Sequence, residues 1–117
     1  MIKHINSYKF ALVGIREIFL NHLNFRIEVA AAIVVTIFGI LFKLNSIEWI
    51  IIIFTISFVL ITESLNTAIE TACDAIDQNY NKYIKYAKDI SAGAVLISSI
   101  ASVIIGLIIF IPHLTNT

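Results

Sequence analysis

The sequence predicts an all-α membrane protein: an N-terminal amphipathic surface helix followed by three transmembrane helices. Three observations carry that prediction. Of 117 residues, 59% are hydrophobic and only 14% charged, far from the balance of a soluble domain of this size. The run from Ala92 to Ile111 contains no charge and is long enough to cross a bilayer. Between Tyr8 and Leu23, the residues Tyr8, Leu12, Ile15, Phe19 and Leu23 recur at spacings of three and four, with Lys9, Arg16, Glu17 and Asn24 opposite.

That spacing predicts a helix over about 8–24 lying on the membrane surface. His22 falls on its apolar side, at the angle of Ala11 and Ile15, where a lone histidine is more often a packing residue than a ligand. The first apolar run, Phe10 to Ile15, is too short for a secretory signal and is followed by Arg16 and Glu17, so the N-terminal segment is expected to be retained. A first span is expected over about 27–44, with Lys43 snorkelling at its end. Asn45 and Ser46 then supply a turn and a helix cap, with Glu48 in the first turn of the next helix. That helix is expected over about 47–77, roughly 46 Å at 1.5 Å per residue and longer than the hydrocarbon core. Its last turns must therefore project toward the headgroups.

Asp77 to Asp89 is polar and reads as a loop or short surface helix, with three lysines and three tyrosines. The last span is expected over about 90–112, capped by Asp89 or Ser91 and closed by Pro112. Along it Ala94, Ser98, Ser102 and Gly106 form a small-residue stripe suited to close helix packing. No linker, repeat or low-complexity tract divides the chain, so residues 1–117 read as one domain. Cys73 stands alone, which excludes an intramolecular disulfide and favours apolar packing.

The most informative feature is the continuation of the second span. Glu63, Asn66, Glu70, Asp74 and Asp77 fall within about 80° of one another on a helix and form a polar stripe. An ionised group in hydrocarbon loses several kcal/mol of hydration unless compensated, so the default reading of such a stripe is a functional site. The plain alternative is that the helix leaves the bilayer near Thr62 and the acids are solvated; Leu65, Ile69 and Ile76 on the flanks argue against solvation all round.

Eight basic and eight acidic residues give no net charge, which predicts no nucleic-acid partner. Their distribution says more. With three spans, Lys3, Lys9, Arg16, Arg26, Lys82, Lys85 and Lys88 share one side against Lys43 alone, so that side, with the N-terminus, is expected to be cytoplasmic. The stripe then emerges where ATP and Mg²⁺ are available. Carboxylates one or two turns apart offer hard oxygen ligands for Mg²⁺, a further one could accept a proton, and lysine would neutralise phosphate. No Gly-x-x-x-x-Gly-Lys-Ser/Thr or Gly-x-Gly-x-x-Gly motif accompanies them. On these grounds a lipid-modifying enzyme and an acid-lined cation or proton pathway compete evenly, with a structural subunit packing through Ala94 to Gly106 as a third reading.

The string Glu63-x-Leu65-Asn66-Thr67-Ala68-Ile69-Glu70-x-x-x-Asp74, followed by Tyr80, Ala87-Lys88-Asp89 and Ala94-Val95-Leu96, resembles the signature of the small prokaryotic diacylglycerol kinases, which include undecaprenol kinases. The likeness runs from about Tyr8 to Pro112, with Gly14, Arg16 and Phe25-Arg26 in place. It implies an ATP-dependent lipid kinase of the bacterial cytoplasmic membrane, a homotrimer with active sites shared between subunits, whose substrate is diacylglycerol or undecaprenol. It implies Glu63 as the general base toward the lipid hydroxyl and Glu70 as a ligand of the Mg²⁺ that holds ATP. Lys88, Asp89 and the segment Asn79-Tyr80-Asn81 would contact nucleotide; Asn66 and Asp74 would support the site, and Arg16, Phe25 and Arg26 would border lipid or phosphate. One position departs from the pattern. Where the family usually places a second metal-binding glutamate, this chain has His22, and Glu28 sits two residues past Arg26. Imidazole binds Mg²⁺ poorly but serves Mn²⁺ well, so His22 is expected to line the metal site and Glu28 to restore negative charge.

Overall fold

The computed structural model describes the backbone of residues 2–115 and the side chains of 6–115, so Lys3, counted above among the basic residues of one side, has its side chain outside the described residues. Four helices follow in order: α1 (Ile2–Asn21), α2 (Leu23–Leu41), α3 (Ser46–Ile76) and α4 (Lys82–Thr115). The last three are long and apolar enough to cross a membrane.

The surface helix stops three residues before the expected end. His22 adopts an extended backbone (φ −126°, ψ 111°), and the Arg26 guanidinium reaches back to donate to the carbonyls of Phe19 at 3.2 Å and Leu20 at 2.7 Å. Those carbonyls belong to the unpaired end of α1, so Arg26 closes one helix while sitting in the first turn of the next. Phe25, beside it, is buried.

α2 ends at Leu41, earlier than expected, because Lys43 takes a left-handed conformation (φ 56°). The Leu44 amide then donates to the Gly39 carbonyl and the Lys43 amide to that of Ile40, the pairing that closes a helix with a left-handed residue. Asn45 starts α3 as expected. Its side chain accepts from the Glu48 amide at 2.9 Å, and the Glu48 carboxylate accepts from the Asn45 amide at 3.1 Å, a reciprocal cap.

The start of α4 differs from expectation. Asn81 accepts from the amides of Tyr83 and Ile84, so the helix begins at Lys82, and Asp89 and Ser91 lie inside it rather than capping it. Pro112 does not close it either, since the helix runs on to Thr115 past the one amide that the proline lacks. The connection between α3 and α4 is accordingly short, held by an Asp77 side chain that accepts from the Asn79 amide.

α3 and α4 form the main packed pair. The Thr62 and Ser98 hydroxyls hydrogen-bond at 2.8 Å across it, so the small-residue stripe of α4 receives α3 of the same chain. At the end remote from the acidic stripe, Leu44, Ile52 and Ile109 are buried together with Trp49 and Phe110 against them. There Glu48 also meets His113 of α4, Nε2 to Oε2 2.9 Å, which ties the two helix ends together.

Candidate functional site

The opposite end of the bundle gathers the polar residues of α3. Glu63 is the most enclosed of them at 5% exposure. Among the described residues its carboxylate makes no hydrogen bond, yet none of the fully sealed side-chain oxygens lacks a partner, so it keeps a narrow opening. Glu28 of α2, Glu70 of its own helix and His22 lie within reach of its charge. The helical break at His22 is what folds α1 back toward α3 and brings the histidine here.

One turn on, a relay crosses between helices. The Ser91 hydroxyl of α4 donates to the Asn66 carbonyl oxygen at 2.6 Å, and the Asn66 amide donates to Glu70 Oε1 at 3.3 Å. Asn66 is thus held from one side, with its amide aimed at an exposed carboxylate. Glu70 is oriented without being covered. A further turn along, Lys88 Nζ meets Asp74 Oδ1 at 2.7 Å, a second α3–α4 tie, and Lys85 pairs with Asp89 at 2.6 Å.

The expected stripe is therefore divided among tasks. Glu63, Asn66 and Glu70 cluster; Asp74 serves Lys88; Asp77 leaves the helix as its C-terminal cap with an extended backbone. Asn79 and Tyr80 are exposed in the connection, while Asn81 caps α4. Arg16 is exposed on α1, Arg26 is engaged with α1 carbonyls, and Phe25 is part of the packing. Ser91, which the sequence suggested only as a cap, fixes Asn66 instead; the signal that could have found it is its register, as a small hydroxyl on the buried face of α4 along with Ser98.

A cavity of about 510 Å³ between α3 and α4 is lined by Asn66 and Ser91 themselves, and two more lie nearby. One of about 520 Å³ lies between α1 and α3, lined by Gly14, Glu17, His22, Ser64, Thr67 and Thr71 among others. The second, about 460 Å³, is almost wholly apolar and runs between α2, α3 and α4 from Glu28 past Ile52 and Val59 to Phe110. On α3 the two cavities end at neighbouring residues, Leu60 in the apolar one and Ser64 in the other. No three His, Cys, Asp or Glu side chains among the described residues gather closely enough to hold an ion unaided. An exposed, oriented carboxylate such as Glu70 fits an ion that arrives with phosphate ligands, because Mg²⁺ commonly takes only one or two protein carboxylates.

Fold and site together define a small multi-pass membrane protein with an enclosed carboxylate and an accessible one at the end of a helical bundle, beside lysines. A family model described as prokaryotic diacylglycerol kinase matches residues 9–110. The chain is 42% identical to the undecaprenol kinase of Bacillus subtilis (strain 168), over 96% of this chain and 91% of that protein. It is 37% identical to a diacylglycerol kinase of Synechocystis, over 94% of this chain and 63% of that longer protein. To the diacylglycerol kinase of Escherichia coli (strain K12) it is 30% identical over 93% and 89% of the two chains. The chain belongs to the prokaryotic diacylglycerol kinase family.

Proposed function

We propose that this lipid kinase transfers the terminal phosphoryl group of ATP to the hydroxyl of a membrane lipid alcohol, with Glu63 as the general base. The observation that carries the reading is the enclosed Glu63 carboxylate, free of hydrogen bonds among the described residues and one turn along α3 from Val59 and Leu60, which line an apolar cavity. A base must reach the proton it takes, and a carboxylate already committed to neighbours would be a poor acceptor.

In this mechanism the lipid hydroxyl approaches Glu63 from the apolar side. Its oxygen attacks the γ-phosphorus in line, its proton passes to Glu63, and the bond to the β–γ bridging oxygen breaks to leave ADP. Glu70, with His22 and Glu28 contributing, would hold a divalent cation, Mg²⁺ or Mn²⁺, which when bound neutralises charge on the phosphates. Lys88 and Asp89 contact the nucleotide together with Asn79, Tyr80 and Asn81. Asn66 orients Glu70 and Asp74 orients Lys88, a role their hydrogen bonds support. Arg16, Phe25 and Arg26 border the lipid and phosphate side, Arg26 through the bend it stabilises. Assembly as a homotrimer within the bilayer, with sites completed between subunits, is what the family resemblance supports.

The identity to an undecaprenol kinase makes undecaprenol the first acceptor to test, with diacylglycerol beside it. Purified protein in vesicles should move label from γ-labelled ATP to one of the two lipids in the presence of Mg²⁺ or Mn²⁺. No labelled lipid from either acceptor, with the protein intact, would overturn the reading.

A further inference from the structure

The start of α4 has a side that the proposed site does not use. Tyr83 and Tyr86 are 73% and 68% exposed. At 100° per residue they share a strip about 60° wide with Ile90, Ile97 and Ile104. These isoleucines are exposed as well, Ile97 at 70%. The strip lies away from the face on which Ser91 and Ser98 hydrogen-bond to α3. It is one continuous surface, aliphatic where α4 crosses hydrocarbon and aromatic where the polar residues begin.

Tyrosine concentrates at this boundary because its ring prefers the acyl region and its hydroxyl prefers water. Lys82 Nζ sits 5.2 Å from the centre of the Tyr83 ring and adds a positive charge beside it. Lys85 and Lys88, by contrast, are matched to Asp89 and Asp74. An anionic headgroup layer complements both features, since the strip is continuous with the lipid-facing surface and Lys82 can meet lipid phosphate.

We propose that Tyr83 and Tyr86, with Lys82, seat the start of α4 in the headgroup layer of an anionic leaflet and so set the height of Lys88 and Asp89 above the lipid hydroxyls. The two tyrosines are positioning residues. The height function rests on the reading of Lys88 and Asp89 as nucleotide contacts; the anchor itself does not.

The test uses the full chain with Trp49→Phe, so that Tyr83→Trp or Tyr86→Trp supplies a lone fluorophore in vesicles containing phosphatidylglycerol. Lipids spin-labelled near the headgroup should quench it more than lipids labelled deep in the acyl chain, and aqueous acrylamide should quench it weakly. Replacing phosphatidylglycerol with phosphatidylcholine should shift quenching toward acrylamide, more so with Lys82 intact than in Lys82→Gln. Quenching chiefly from water, or shielding from lipid and water alike as in contact with a second copy, overturns the anchor. In kinetics, Tyr83→Ser with Tyr86→Ser should raise KM for lipid severalfold in vesicles and far less in detergent micelles, and the paired Trp variants should restore it. Equal losses in micelles and vesicles would overturn the height function. If the quenching pattern holds while the parent protein phosphorylates no lipid, the kinase reading fails and the anchor stands.

Discussion

Glu63 is where one atom's change carries the most information. Glu63→Gln keeps the shape and removes the basic oxygen, so kcat should fall by about 10²–10⁴, the usual contribution of a positioned general base. Circular dichroism and oligomer mass should match the parent; a variant that still turns over normally would remove Glu63 from the chemistry. His22 is the second informative residue, because it stands near Glu63, at the position where the family resemblance leads one to expect a glutamate. His22→Glu should lower the Mg²⁺ concentration needed for half-maximal activity and reduce any preference for Mn²⁺, since Mg²⁺ favours hard oxygen ligands. An unchanged metal profile would place His22 outside the metal's reach. At this scale the sequence was readable in kind but not in partnership. The spacing of Glu63, Asn66 and Glu70 foretold a shared face, whereas the tie from Ser91 to Asn66 depends on the register between two helices, which no local pattern records.

The elements tell a similar story. α3 was legible almost to the residue, because Asn45 and Glu48 cap it reciprocally and its interior holds neither Gly nor Pro. The start of α4 was not, because Asp89 and Ser91 are as competent to cap as Asn81, and only the completed fold shows that their side chains are spent on Lys85 and Asn66. The end of α2 was misplaced for a related reason: Lys43, which composition offers as a snorkelling residue, instead supplies the left-handed turn that a glycine more often provides. Packing at that corner yields a sharp prediction. A methyl group at Gly39 would stand 2.7 Å from the Trp49 ring, pressed also by Leu44. Gly39→Ala should therefore cost about 1–3 kcal/mol in stability, as overpacking typically does. Because the corner lies far from Glu63, activity per folded molecule should persist. A thermal midpoint equal to the parent's would show that Trp49 can move aside freely.

For the whole molecule, function depends on which way the bundle faces. The acidic stripe, the Asp77–Asn81 connection and α1 lie at one end, and the α2–α3 turn at the other, with Glu48 and His113 joined there. ATP is a solute of the cytoplasm, so phosphoryl transfer requires the first end to face inward, as the excess of lysine and arginine there predicts. The test begins with Cys73→Ser, which removes the lone, buried thiol. Single cysteines then replace Gln78 in the connection and Ser46 at the start of α3, beside the α2–α3 turn. In intact cells a membrane-impermeant maleimide should label Ser46→Cys and leave Gln78→Cys unmodified until the membrane is opened. Reversed labelling would put Glu63 and Glu70 at the face without nucleotide and overturn the roles proposed for them. Labelling of both positions from outside would mean two orientations coexist. In that case only the inward-facing fraction could transfer phosphate, and Gln78→Lys, at the one connection residue without an assigned role, should raise specific activity along with that fraction.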